Sequence, residues 1–225
     1  MAEVKKTARG DFIAEEPWRI FRIMSEFVEG FDVLSKVGPA VSIFGSSRTK
    51  RNDRYYKMAE AIAYDLVRAK YAVITGAGPG IMEAANKGAK RAGGRSIGLN
   101  IQVPIGQKSN PYITTLLEFR YFFCRRVMFV KYSKAFVVLP GGFGTVDEFV
   151  EAATLIQTER IAPFPIILVG REYWEGLIDW MKESMVKGDR ILSRDLEIFK
   201  IVDRTEEVVP SIKEFYAAKP PKRKK

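Results

Sequence analysis

The sequence predicts a doubly wound α/β fold: a mostly parallel, Rossmann-like sheet of about seven strands with helices on both faces. Three observations predict it. Short apolar runs recur without polar alternation, as strands covered on both faces require. Stretches of helical spacing or turn-forming residues separate the runs. Three runs end in Gly- or Ser-rich turns, at 45–47, 76–80 and 141–144. A parallel sheet opens such turns onto one edge, outside the carboxyl ends of its strands.

The chain opens with a helix near 17–36. Pro17 suits a first turn, and Trp18, Phe21, Met24, Val28, Phe31 and Leu34 recur at helical spacing. Phe21, Phe27 and Phe31 are expected to pack on the core. Gly38-Pro39 stops the helix. Val41 to Phe44 reads as a buried strand, and Asp53 is a suitable cap for a helix near 53–70. Tyr71 to Thr75 is the second strand, followed by a helix from about 80 to 92. Ser96 to Asn100 is the third. After a loop rich in Pro, Gly, Gln and Asn near 101–111, residues 113–119 form the fourth. Helical spacing returns at 121–133. Ala135 to Leu139 is the fifth strand, and a helix runs from Thr145 to about Thr158. Pro165 to Val169, a helix near 171–187, a seventh strand at Glu197 to Val202 and a last helix capped by Thr205 complete the pattern. No internal repeat or linker interrupts it, so residues 1–218 are expected to form one domain.

Composition narrows the chemistry. The chain has 225 residues, no His and one Cys. Without His, neither a Ser-His-Asp nor a Cys-His nucleophile can be built, nor a structural zinc site of the usual Cys and His ligands. One Cys cannot form an intrachain disulfide, which suits a reducing cytoplasm. The formal charge is +10, but it is concentrated at the ends. Residues 219–225 carry five positive charges and residues 1–9 a net +2, leaving about +3 for the body. The tail, Lys-Pro-Pro-Lys-Arg-Lys-Lys, reads as a disordered, solvated end, and nucleic acid is not the expected partner. No apolar stretch is long enough to span a membrane, and no signal peptide is evident.

Glycine turns at helix starts invite an anion: backbone N–H groups approach it closely and the helix end adds about half a positive charge. A P-loop would need Gly-x4-Gly-Lys-Ser/Thr, which is absent. A dinucleotide fingerprint begins at Gly76-Ala77-Gly78 but has Ile81 where its third Gly belongs, and the third strand ends in Asn100 rather than an acid. A monophosphate suits these turns better than either. Pro140-Gly141-Gly142-Phe143-Gly144-Thr145-Val146-Asp147-Glu148 is the richest of them. Its spacing also describes a plain capping box, Thr145-x-x-Glu148. Spacing alone does not choose between the two readings.

That run resembles the Pro-Gly-Gly-x-Gly-Thr-x-x-Glu signature of the Lonely guy family, cytokinin riboside 5′-monophosphate phosphoribohydrolases once labelled lysine decarboxylases. Phe44-Gly45-Ser46-Ser47-Arg48, Thr75 to Glu83 and Arg125-Arg126 fall in family order and spacing, so the resemblance covers roughly 40–210. It implies hydrolysis of the N-glycosidic bond of a nucleoside 5′-monophosphate, AMP or a cytokinin riboside 5′-monophosphate, by a homodimer or higher homo-oligomer with its site near a subunit interface. Arg125 and Glu148 map onto the catalytic pair. Gly45, Ser46, Gly78, Gly80, Met82, Gly141, Gly142, Gly144 and Thr145 map onto the substrate-binding cleft. No metal or other cofactor is implied.

Three departures accompany it, one being Gly76-Ala77-Gly78 in a turn that is often Gly-Gly-Gly. Phe123 stands where many members have His, and Arg126 where they have Lys. Without the resemblance, Arg125 would read as part of a solvated face with Arg120, Arg126 and Lys131. Cys124 beside it reads as a small buried residue. A pyridoxal phosphate decarboxylase is rejected, because no Lys sits in a context for a Schiff base. The remaining alternative is a non-catalytic carrier of nucleotide or molybdenum cofactor on the same fold; Arg125 and Glu148 together favour the enzyme.

Overall fold

Among the described residues, seven strands lie in one parallel sheet, in the order β4-β3-β2-β1-β5-β6-β7. They are β1 Ala40–Phe44, β2 Ala72–Thr75, β3 Ser96–Ile101, β4 Thr115–Phe119, β5 Ser133–Val138, β6 Ile166–Val169 and β7 Phe199–Val202. The helices are α1 Glu16–Ser35, α2 Arg54–Arg68, α3 Ile81–Arg91, α4 Phe122–Tyr132, α5 Phe143–Gln157, α6 Arg171–Trp180 and α7 Val208–Ala217. This computed structural model describes residues 16–102 and 108–218. The basic tail and part of the 101–111 loop lie outside the described residues.

The absence of alternation in the strands has its reason in the two cores. Along β5, Ala135 and Val137 face one layer and Phe136 and Val138 the other. The first layer is covered by Ile62 and Leu66 of α2, Ala84 and Ala85 of α3 and Ile212 of α7. The second is covered by Leu34 of α1, Met128 and Phe129 of α4, Phe149 of α5 and Trp174 of α6. Every strand residue from Ala135 to Val138 is therefore buried, as in other doubly wound sheets. The edge strand β4 does alternate: Leu117 and Phe119 point inward while Leu116 and Glu118 are exposed.

Several expectations need correction. Helix α5 begins at Phe143, two residues before Thr145, and its N-cap is Gly142. Thr145 therefore sits inside the first turn, and no side chain caps this helix. Thr205 does not cap the last helix either. It opens a single 3₁₀ turn, Thr205–Glu207, where the Glu207 carboxylate accepts the Asp203 and Arg204 amides. Helix α6 ends at Trp180 and passes into a π-helical segment, Met181–Val186, rather than continuing to 187. In α1, Phe27 packs on the core but Phe21 is 61% exposed and Phe31 38%. Asp53 caps α2 as expected, its Oδ1 accepting the Tyr55 amide at 2.7 Å. Among the described residues, no helix is long and apolar enough to cross a membrane.

Candidate active site

Strand order reverses at β1: β2, β3 and β4 extend to one side, β5, β6 and β7 to the other. The switch point therefore lies between β1 and β5, where a doubly wound sheet leaves a crevice at its carboxyl edge. A cavity of about 500 Å³ occupies that crevice. Its walls come from the turn after β1 (Phe44 to Arg48), from Gly76 and Met82, from Arg125 and Phe129 of α4, and from Gly142 to Thr145 and Glu148.

The backbone of Ser46 ties the three glycine turns together. Its amide donates to the Pro140 carbonyl at 2.9 Å, and its carbonyl accepts the Ile81 amide at 3.0 Å. This approach leaves no room for side chains at two positions. A Cβ on Gly80, whose φ is +67°, would fall 2.4 Å from the Ser46 oxygen. One on Gly141 would fall 2.1 Å from Thr145 Oγ1. Gly142 and Gly144, in contrast, face open space.

The amide supply at the head of α5 follows from helix geometry. The first N–H groups of a helix have no intrahelical acceptor, and Gly142, Phe143 and Gly144, at the start of α5, line the cavity. Thr145 contributes less than expected, since its own amide is spent on the Gly142 carbonyl at 2.9 Å. Its hydroxyl packs over Gly141 at the cavity wall. The turn is steadied from outside by the Tyr173 hydroxyl, which donates to the Gly141 carbonyl.

Helix α4 buries Cys124, Met128 and Phe129, and this turns Arg125 toward the crevice. Arg125 is not on a solvated face. Its guanidinium lies between the Phe122 and Phe129 rings, 5.0 and 5.7 Å from their centroids. Glu148, 4% exposed, enters from α5, and Arg125 Nη2 stands 3.8 Å from its Oε1. That is an ion-pair distance and too long for a hydrogen bond. Glu148 Oε2 is buried without a hydrogen-bond partner, as is Arg125 Nε. Burial pushes the Glu148 carboxyl from 4.5 up to about 7, against the pull of Arg125 and with a push from Glu151. Burial likewise lowers the Arg125 guanidinium, which Glu148 opposes. A carboxylate held near neutrality in a crevice, with unused bonding capacity, is poised for proton chemistry or for a developing positive charge.

Of the residues predicted for the site, Gly45, Ser46, Met82, Arg125, Gly142, Gly144, Thr145 and Glu148 line the cavity. Gly78, Gly80 and Gly141 do not; they make the close backbone contacts behind it. The site residues read from the sequence did not include Phe44, Ser47, Arg48, Gly76, Phe129 or Phe143, which also line the wall. Arg48 could have been found, since it follows directly on the Gly45-Ser46-Ser47 turn. Among the described residues it makes no ion pair, and its amide is bonded to Ser46 Oγ at 3.1 Å. Cys124 is buried, and burial together with the Glu26 carboxylate pushes its thiol up to about 12, so it is no nucleophile. Among the described residues, no group of three or more His, Cys, Asp or Glu could hold a metal ion.

Known proteins resemble this chain in sequence and in fold. The family model described as "Possible lysine decarboxylase" matches residues 82–212. A cytokinin riboside 5′-monophosphate phosphoribohydrolase of Rhodococcoides fascians is 25% identical over 152 residues, covering 66% of this chain and 77% of that protein. A probable cytokinin riboside 5′-monophosphate phosphoribohydrolase of Arabidopsis thaliana is 25% identical over 152 residues, covering 66% and 75%. Among solved structures, the molybdenum cofactor binding protein of Rippkaea orientalis superposes with a TM-score of 0.58 at 18% identity, over 79% of this chain and 96% of that one. The molybdenum cofactor carrier protein of Chlamydomonas reinhardtii does so with 0.57 at 18% identity, over 80% and 99%. At such identities these two likenesses speak to the fold.

Proposed function

The chain belongs to the possible lysine decarboxylase family, and on that premise we propose that it hydrolyses the N-glycosidic bond of a nucleoside 5′-monophosphate. AMP or a cytokinin riboside 5′-monophosphate plus water would give the free base and ribose 5-phosphate. The observation that carries this reading is the buried Arg125–Glu148 pair in the switch-point crevice, one turn from a row of helix-head amides. The names of the relatives support it.

Cleavage of such a bond builds positive charge on the ribose in an oxocarbenium-like transition state. Ionised Glu148 stabilises that charge and orients or deprotonates the attacking water. Its unpartnered Oε2 leaves capacity for these contacts. Arg125 keeps its proton near neutral pH and so is no general acid; it holds Glu148 and adds positive charge beside the leaving base. The amides of Gly142 to Gly144 and the Thr145 hydroxyl grip the 5′-phosphate, with Arg48 supplying charge at the mouth. The active form is a homodimer or higher homo-oligomer in the cytoplasm, which suits the exposed Trp18, Phe21, Met24 and Val28 of α1 and Phe143 at the crevice.

A carrier on the same fold has no need of a near-neutral acid in its crevice. The deciding assay incubates the protein with AMP, GMP, CMP, IMP and a prenylated AMP, and follows base and ribose 5-phosphate by chromatography. Release of base in step with ribose 5-phosphate is expected. No release from any of the five would overturn the reading in favour of a carrier.

A further inference from the structure

Beside the catalytic pair lies a second set of charges that the reaction as drawn does not use. Arg126, next to Arg125 on α4, engages two acids of α5: its Nη2 is paired with Asp147, and its Nε lies 3.6 Å from Glu151 Oε2. Those acids flank Glu148, one adjacent in sequence and the other three residues on, where a helix brings side chains to the same face. Neighbouring guanidinium groups thus divide three carboxylates between them. Arg126 takes the flanking two and leaves Arg125 to Glu148.

We infer that Arg126 is a positioning residue for Glu148: by engaging Asp147 and Glu151 it cancels their charge and keeps Glu148 ionised beside Arg125. The charged groups facing Glu148 are Arg125 and Arg126 from α4 and Asp147 and Glu151 from α5, while Arg48 lines the same cavity from the turn after β1. Glu148 is itself buried, and a neighbouring acid left uncancelled disfavours its negative charge. The signs agree: Asp147 and Glu151 raise Glu148, whereas Arg125 and Arg126 lower it. A planar guanidinium can hold two carboxylates at once, which a point-like ammonium does less well.

This rests on the proposed role of Glu148, so its test is independent of turnover. The carboxyl groups of glutamate are labelled with ¹³C, Glu148 is assigned with Glu148→Gln, and its titration is followed by NMR without substrate. In Arg126→Met the Glu148 midpoint should rise by about one pH unit. In Arg126→Met/Asp147→Asn/Glu151→Gln it should return to near the wild-type position, and Arg126→Lys should lie between. Should Arg126→Met not fold, Asp147→Asn/Glu151→Gln alone must lower the midpoint, because Arg126 is then uncompensated. An unmoved midpoint in Arg126→Met would overturn the inference. So would a triple variant that titrates with the single one, for Arg126 would then act without the two acids. If the midpoints move as expected and no nucleotide is hydrolysed, the charge arrangement stands and the proposed activity falls.

Discussion

Arg125 Nη2 stands 3.8 Å from Glu148 Oε1, and these two side chains reach each other from different helices across the crevice between β1 and β5. The separation keeps the pair attracted without closing a hydrogen bond. The acid therefore remains available to a ligand, and its environment governs when it is charged.

The first consequence concerns turnover. Glu148→Gln keeps the shape and removes the charge, and Arg125→Ala removes its partner. Each is expected to lower kcat by about 100-fold or more, with a smaller effect on KM, because the contact is strongest when ribose is positively charged. Steady-state kinetics on AMP or a prenylated AMP checks this. Undiminished kcat in either variant would remove that residue from the chemistry.

The second concerns pH. In the proposed reaction Glu148 acts as the carboxylate, and burial pushes its carboxyl up to about 7. A plot of log(kcat/KM) should therefore bend near pH 7 and fall roughly tenfold per pH unit below it. Arg125→Ala should move the bend upward, since the guanidinium lowers the carboxyl.

Stability should run the other way. A carboxyl raised in the folded state holds its proton where the unfolded chain has released it. The contribution of Glu148 to native stability therefore declines as pH rises from about 4.5 through about 7. Glutamine has no such proton. The Tm difference between Glu148→Gln and wild type should thus increase in favour of the variant between pH 5 and pH 8. A difference that stays flat over this range would contradict the raised carboxyl.

Arg48 lines the crevice without an ion-pair partner among the described residues. If the amides at the head of α5 grip a dianionic phosphate as proposed, this cation should serve affinity rather than chemistry. Arg48→Ala is expected to raise KM for a 5′-monophosphate about tenfold with kcat little changed, and to narrow the preference for nucleotide over nucleoside.

The last concerns the turn behind the cavity. Gly80 combines a positive φ with backbone contact to Ser46 and Ser47. Gly80→Ala should cost roughly 1–3 kcal/mol from strain alone and more from displacing Ser46, whose carbonyl accepts the Ile81 amide. Denaturant unfolding measures the loss, and kcat/KM should drop with it because Ser46 also anchors the Pro140 turn.

The sequence by itself determined the fold class, because two-sided burial writes itself into a strand as an unbroken apolar run, as in Ala135 to Leu139. It also placed the glycine turns, and the family resemblance carried by its motifs pointed to Arg125 and Glu148 as candidates. Such features are local: each is carried by a few neighbouring residues. Tertiary structure alone decided what depends on elements far apart in the chain. Whether Arg125 is solvated or buried turned on the face α4 presents to the sheet. The buried polar network behind the second glycine turn is of the same kind: Asn110 donates to the Ala77 and Gly78 carbonyls and to Asn86, which in turn holds Thr75 and Ser96. No spacing announces Asn110 as the clamp for a turn more than thirty residues earlier. That Thr145 does not cap α5 was decided by where the helix begins, two residues earlier at Phe143. Side-chain burial and charge pairing are sums over the whole fold, and a one-dimensional pattern cannot contain them.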